Sequence, residues 1–234
     1  DRGTAMPSAT IIIPAYNEEE TLSDNVRRLM SCLDDDLPGY EIVIVSNGST
    51  DSTVEIGTEL AAAHPEVAFL HIPKRGVGRA FREGIMLARS DRIITVDADL
   101  TTGVDFIPRA FTLLETYDIV IGSKRMGSQE RSAIRIMGSA LFILSARALL
   151  GLPYGDYSIG AKAYRRAAVM KYLDCIDGGS SYVLDIIYRS WRDRARIMEI
   201  PVRCDDARNS HFNLIHEGVY RFYRLFKLWL STGR

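Results

Sequence analysis

Five short runs rich in aliphatic and β-branched residues, at positions 10–13, 41–45, 67–72, 92–96 and 118–121, recur along the first half of the chain. They are close to continuously apolar rather than alternating, as expected of strands covered on both faces. Between them lie segments of helical period. Residues 18–33 set Leu22, Val26, Leu29 and Leu33 on one stripe, and residues 53–63, 79–88 and 104–116 follow the same rule. Strand and helix alternate at the length of one βαβ unit, which predicts an α/β fold: a Rossmann-like, doubly wound, mostly parallel sheet sandwiched by helices.

The second half reads differently. Residues 131–150 form a long helix-like stretch, 159–164 and 196–202 read as further strands, and 182–191 as a helix between them. The last segment, 212–230, sets Phe212, Ile215, Val219, Phe222 and Phe226 on one stripe. A chain of 234 residues without repeats or linkers fits one large domain. The expected division is a main body over 1–210 followed by an amphipathic helix over 211–234.

A net charge of −1 gives no global attraction to nucleic acid, so any phosphate must be held by local groups. The three cysteines, Cys32, Cys175 and Cys204, have no metal-ligand spacing and read as buried thiols of a reducing compartment. The polar opening Asp1-Arg2-Gly3-Thr4 shows no signal peptide. The longest apolar run, 140–152, is broken by Arg147 and is too short to cross a bilayer.

In open parallel sheets ligands bind beyond the carboxyl ends of the strands, and the unusual polar residues of this chain fall there. Pro14-Ala15-Tyr16-Asn17-Glu18 follows the first strand, and by itself fits a turn with acids at a helix N-terminus. Ser46-Asn47-Gly48-Ser49-Thr50-Asp51 follows the second, either as a capped turn or as short polar groups meeting a nucleoside beside Gly48. Lys74-Arg75-Gly76-Val77-Gly78-Arg79 opens a helix and suits either a diphosphate or a plain loop. After the fourth strand stands Asp97-Ala98-Asp99. Two carboxylates two apart on an extended segment face the same way and repel unless a cation lies between them. Oxygen ligands point to Mg²⁺ or Mn²⁺. Gly122-Ser123-Lys124-Arg125 adds two cations, and Gly155-Asp156-Tyr157-Ser158-Ile159-Gly160 presents a lone acid in a turn.

In this order the segments resemble the inverting family-two glycosyltransferases of the GT-A fold. The likeness extends over residues 10–230 and is greatest to the branch that makes polyprenyl-phosphate sugars, such as the dolichyl-phosphate mannose synthases and glucosyltransferases. Pro14, Tyr16, Asn17 and Glu18 match the opening P-x-Y-N-E, whose residues contact the nucleoside. Asp97-Ala98-Asp99 matches the metal-binding D-x-D. Asp156 through Lys162 resembles D-x-x-x-G-x-[RK], which makes Asp156 the candidate catalytic base near the acceptor. Ser210-His211 stands where the family has Ser-Lys. The resemblance implies that Ser46, Asn47, Gly48, Gly76, Gly78, Arg79, Ala98 and Lys124 also bind the nucleotide-sugar, and that Arg125, Arg131, Arg208 and His211 meet the acceptor or its phosphate. Four positions depart from the pattern: D-D-G-S becomes Ser46-Asn47-Gly48-Ser49, a glutamine two residues after D-x-D becomes Thr101, G-[ST]-R becomes Gly122-Ser123-Lys124, and His211 replaces lysine.

The implied reaction is transfer of one hexose from a GDP- or UDP-hexose, with inversion, to a polyprenyl phosphate. The only glutamine, Gln129, lies outside the Q-x-x-R-W motif of processive synthases, in keeping with single-sugar transfer. A lipid acceptor requires a membrane surface, here its cytoplasmic face. The stretch with Ile134, Met137, Leu141, Leu144 and Leu149 and the last helix with Tyr220, Phe222, Tyr223, Phe226 and Trp229 could meet it, helped by Arg131, Arg135, Arg147, Arg221, Arg224 and Lys227. Packing on the sheet or in a homodimer explains the same faces. The competing functions are a soluble transferase onto a hydroxyl acceptor, a non-catalytic nucleotide-sugar scaffold and a nucleotidyltransferase. The last would carry a basic, glycine-rich loop where the acidic Tyr16-Asn17-Glu18 stands.

Overall fold

The computed structural model describes residues 6–127, 129–130, 133–205 and 214–232. The first half runs β1 (Ala9–Ala15), α1 (Leu22–Asp36), β2 (Tyr40–Asn47), α2 (Thr53–Ala63), β3 (Val67–Ile72), α3 (Val77–Leu87), β4 (Arg92–Thr95), α4 (Phe106–Leu113) and β5 (Ile119–Ser123). The second half adds β6 (Gln129–Glu130), α5 (Ala133–Leu150), β7 (Lys162–Arg165), α6 (Arg166–Met170), α7 (Tyr182–Arg192), β8 (Ile197–Pro201), β9 (Cys204–Asp205) and α8 (Leu214–Thr232). Each strand and long helix expected from the sequence is present, with ends shifted by a few residues. The short β6–β9 pair is new.

Seven strands form one sheet in the order β3-β2-β1-β4-β7-β5-β8. All its pairings are parallel except those of β7, which lies antiparallel between β4 and β5. Successive side chains of a strand go to opposite faces. Ile12, Val43 and Val45 therefore join Phe81 and Ile85 of α3, Phe142 and Ile143 of α5, Ile186 and Ile187 of α7 and Leu225 of α8. Ile11, Ile13, Ile42 and Ile44 face the other layer, against the Leu22, Val26, Leu29 and Leu33 stripe of α1, with Leu60 of α2 and Phe106 of α4. Two covered faces account for the unbroken apolar character of the strands.

Helix α8 buries Leu225 and Leu228 and sets Phe222 edge-on to Phe142 of α5, with ring centroids 5.4 Å apart. Its other side leaves Val219, Tyr223, Phe226 and Leu230 exposed, and α5 likewise exposes Met137, Leu141 and Leu144. No helix among the described residues is long and apolar enough to cross a membrane. None of the three cysteines is in a disulfide, and only Cys204 is buried; Cys32 and Cys175 are half-buried, which corrects the expectation for those two.

The end of the sheet remote from the polar strand ends is tied by one buried acid. The Glu41 carboxylate accepts from Thr10 Oγ1 at 2.7 Å, from the Arg89 backbone N–H at 2.6 Å and from Arg89 Nε at 2.7 Å. Removing one side of such a pair strands the other groups without partners. Glu41→Ala should lower unfolding free energy by about 3 kcal/mol, read from urea denaturation.

Candidate active site

Strand β4 ends at Thr95, and the chain then turns: Leu100 N–H donates to Asp97 O at 3.0 Å, with Leu100 at φ +50°. Asp97 and Asp99 thus stand on a turn rather than on the expected extended segment, and both keep part of their surface open. Asn25 of α1 holds the turn by donating to Ala98 O at 3.0 Å, and Thr101 N–H donates to Asp99 Oδ1 at 3.1 Å. Across the rim, Gly160 N–H donates to Asp97 Oδ2 at 3.2 Å. A Cβ on Gly160 would fall 2.2 Å from Asp97 Oδ1, so only glycine fits against this carboxylate. Burial, then the charge of Asp99, push Asp97 up to about 6, against the opposing pull of Gly160 N–H, Lys162 and Lys124.

Two neighbouring carboxylates, one of them raised by its burial and by the other's charge, are suited to a cation. Among the described residues no third acid, histidine or cysteine completes a closed metal cage. That partial donor set fits Mg²⁺ or Mn²⁺, which keep waters and take substrate phosphate oxygens alongside one or two carboxylates.

The third acid of the rim, Asp156, is buried. Asp156 Oδ1 accepts from Ser158 N–H at 2.9 Å, Ser158 Oγ at 3.1 Å and Ile159 N–H at 3.2 Å, while Lys124 Nζ lies 3.7 Å from Oδ2. Lys124 also donates to Ser158 Oγ at 3.0 Å. Burial raises the Asp156 pKa, but Lys124, Lys162 and the two backbone donors outweigh it and hold the carboxyl below the usual range. Lys162 on β7 is fully buried and donates to Ile159 O at 2.9 Å. Glu199 of β8 accepts from Gly155 N–H at 2.8 Å, and the exposed Arg125 flanks the same glycine.

At the ends of β1 and β2 the polar residues mostly bind one another. Asn17, at φ +53°, receives Thr50 N–H on Oδ1 at 2.9 Å, and Glu18 N–H donates to Thr53 Oγ1 at 2.8 Å. Pro14 pairs in register with Val45, and the Tyr16 ring carries the Arg75 guanidinium 3.9 Å from its centroid. Ser46 Oγ donates to Ser49 Oγ at 2.9 Å and lies 3.1 Å from His71 Nδ1. Asn47 donates to Ala15 O at 2.7 Å and accepts from Gly76 N–H at 3.0 Å. These bonds engage both ends of the Asn47 amide, which thereby staples the strand ends together.

The glycines expected to bind the nucleotide-sugar pack closely on protein. A Cβ on Gly48 would meet Arg75 N at 2.8 Å, one on Gly76 would meet Gly178 O at 2.2 Å, and one on Gly78 would meet Asp177 O at 2.0 Å. The start of α3 is therefore covered by the 177–179 backbone, and Arg79 lines a side cleft of about 360 Å³ with Lys74, Arg82 and Ile176. The structure thus brings Asp97, Ala98, Asp99, Lys124, Arg125 and Asp156 to one rim. It sets Gly76, Gly78 and Arg79 against the 177–179 loop. Arg131, Arg208 and His211 lie outside the described residues.

The D-x-x-x-G-x-[RK] match had picked out Gly160 and Lys162 as motif positions without a role for either; sequence reasoning did not single out Glu199 or Asn25, which carried no signal. Gly160→Ala should leave the melting temperature within a few degrees while lowering kcat/KM about 100-fold, by displacing Asp97 from its geometry.

The match to known proteins agrees with this geometry. The model of Glycosyl transferase family 2 matches residues 10–173. The undecaprenyl-phosphate mannosyltransferase of Micrococcus luteus is 33% identical over 204 residues, which cover 82% of this chain and 81% of that protein. The undecaprenyl-phosphate 4-deoxy-4-formamido-L-arabinose transferase of Pseudomonas fluorescens is 33% identical over 168 residues, 71% of this chain and 49% of the relative, so the chain matches about half its length. Among solved structures, glucosyl-3-phosphoglycerate synthase of Mycobacterium tuberculosis, in complex with Mn²⁺, UDP-glucose and phosphoglyceric acid, superposes with a TM-score of 0.72 at 16% identity, covering 95% of this chain and 80% of that one. That likeness shows the fold. Family model and sequence relatives together place this chain in glycosyl transferase family 2.

Proposed function

We propose that the protein transfers a single hexose from a GDP- or UDP-hexose, with inversion and with Mg²⁺ or Mn²⁺, to the phosphate of a polyprenyl lipid. The observation that carries this is the segment 156–162, which touches both acidic sites. Its Gly160 N–H binds Asp97, and its Ser158 and Ile159 N–H groups bind Asp156. A donor at the Asp97–Asp99 turn and an acceptor beside Asp156 would then share one rim. A cation bound by Asp97 and Asp99 would neutralise charge that develops on the departing nucleoside diphosphate. Lys124 is already engaged by Asp156 and Ser158, so the exposed Arg125 is the better placed of the two to meet a phosphate.

The electrostatics of Asp156 favour a phosphate acceptor. A hydroxyl must lose its proton to a base, and a carboxylate held below its usual range is a weak one. A phosphate monoester, with a second pKa of about 6, is already largely anionic near neutrality. Asp156 then orients the acceptor loop and Lys124. The printed names of the Micrococcus and Pseudomonas relatives, both undecaprenyl-phosphate transferases, support the same acceptor class.

In this reading residues 1–210 are the catalytic unit and 211–234 the membrane-facing element, at the cytoplasmic face of the bilayer. Met137, Leu141 and Leu144 of α5 and Val219, Tyr223, Phe226 and Leu230 of α8 are the exposed apolar groups available to lipid. Several groups first expected to meet the membrane are engaged inside the protein. Arg224 binds Asp177 and Asp185, Arg221 binds Glu217, and Phe222 packs on Phe142.

The test supplies labelled GDP- and UDP-hexoses to liposomes containing undecaprenyl phosphate, with Mn²⁺ or with chelator. Label should enter the organic phase only with metal; transfer to water-soluble sugars alone would favour the soluble-transferase alternative. In the same assay Asp156→Asn should lose less than about tenfold, whereas an essential general base would contribute 100-fold or more. Leu144→Glu combined with Phe226→Glu should abolish co-flotation with liposomes and leave the melting temperature unchanged. Retained flotation together with a loss of dimer on gel filtration would instead assign this face to a homodimer.

A further inference from the structure

We infer that Arg224 of α8 is a positioning residue for the donor edge of the rim, acting through the 177–179 loop; this rests on the donor site proposed above. Arg224 Nε lies 3.1 Å from Asp177 Oδ2, and its terminal nitrogen lies 3.0 Å from Asp185 Oδ2. Tyr220, one turn earlier, donates its hydroxyl to the same Asp177 oxygen, and Gly179 packs under the Tyr220 ring. The backbone oxygens of Asp177, Gly178 and Gly179 are in turn the atoms that press on Gly76 and Gly78. Gly76 N–H donates to Asn47, Asn47 donates to Ala15 O, and the neighbouring Arg75 stacks on Tyr16. An unbroken series of contacts therefore runs from α8 to the ends of β1 and β2.

One cation holds two carboxylates in this series. The side chains of Asp177 and Asp185 are 15% and 8% exposed, too enclosed for water to replace the guanidinium. Burial pushes the Asp185 carboxyl up and Asp177 adds to it, while Arg224 pulls it back. Without Arg224 the two acids repel, and the loop bearing Asp177 is the part able to move, since Asp185 is fixed on α7. Its backbone would withdraw from Gly76 and Gly78, loosening the 74–79 segment. A charge one helix removed from the chemistry thus fixes the geometry of the nucleotide side, consistent with coupling carried by contiguous packed groups.

The experiment compares Arg224→Met with Leu228→Ala, which trims a buried side chain of the same helix and serves as a control for simple destabilisation. Backbone hydrogen exchange is followed in residues 74–80, and donor KM and kcat are measured separately. Arg224→Met should speed exchange in 74–80 and raise donor KM each about tenfold, with kcat changed less than about twofold. Leu228→Ala should lower the melting temperature and do neither, and Arg224→Lys should restore most of the KM. Unchanged exchange in 74–80, or equal change in both variants, overturns the inference. If exchange responds as expected but wild-type protein turns over no nucleotide-sugar, the coupling stands and the transferase reading falls.

Discussion

The reversed direction of β7 is the constraint on which the site depends. In a uniformly parallel sheet every strand reaches the ligand rim with its carboxyl end. β7 enters from the rim, so the residues that precede it lie beside the residues that follow β4 and β5. Its register opposes Lys162 to Thr95 on one side and to Ile121 on the other. Thr95 Oγ1 donates to Gly160 O, and Gly122 N–H donates to Ala161 O at 3.0 Å. That register, with the Thr95 side chain's bond to Gly160 O, sets Gly160 against Asp97, and the turn leading into β7 brings Asp156 to Lys124.

Charge balance follows from that arrangement. Lys124, Asp156 and Lys162 are each less than a tenth exposed. Isolated, any one of them would be costly to bury; together they offset one another, with backbone groups taking up the remaining bonds. Burial pushes the Lys162 ammonium down to about 8, with Asp156 drawing it back up. Asp97, beside Asp99 and open to solvent on one side, is the member left short of positive charge. The unevenness gives the rim a direction: a buried side around Asp156, where two lysines face one carboxylate, and an acidic side at Asp97 and Asp99 suited to a cation.

Much of this was legible in the sequence because both faces of the sheet are covered. Covered strands must be apolar throughout, and runs such as 41–45 and 118–121 announce themselves. The acid pair Asp97 and Asp99 was legible because two acids directly after such a run are hard to explain otherwise; the turn that carries it was not, since the spacing alone read as extended. The insertion of β7 was not legible, since nothing in Lys162-Ala163-Tyr164-Arg165 states which strands flank it or in which direction. The glycines at 76 and 78 were seen, but their partner lies about a hundred residues further on, and a glycine at a helix start fits a phosphate and another backbone equally well. Asn47 was noticed as a short polar group at a strand end, but its bonds to Ala15 O and Gly76 N–H were not legible, since the fold alone supplies those partners.

The order of strands also bears on how the nascent chain acquires its shape. β3, β2, β1 and β4 pair only among themselves until β7 arrives, so the first 95 residues can assemble a four-stranded parallel unit with their own helices. β5 has no neighbour in that unit; its partners are residues 162–165 and 197–201. It must wait, apolar and unpaired, while roughly forty further residues are made before β7 exists, a situation that invites wrong pairing. Joining the two parts of the sheet and assembling the rim are then a single late event, since the segment that closes the gap also brings in Asp156.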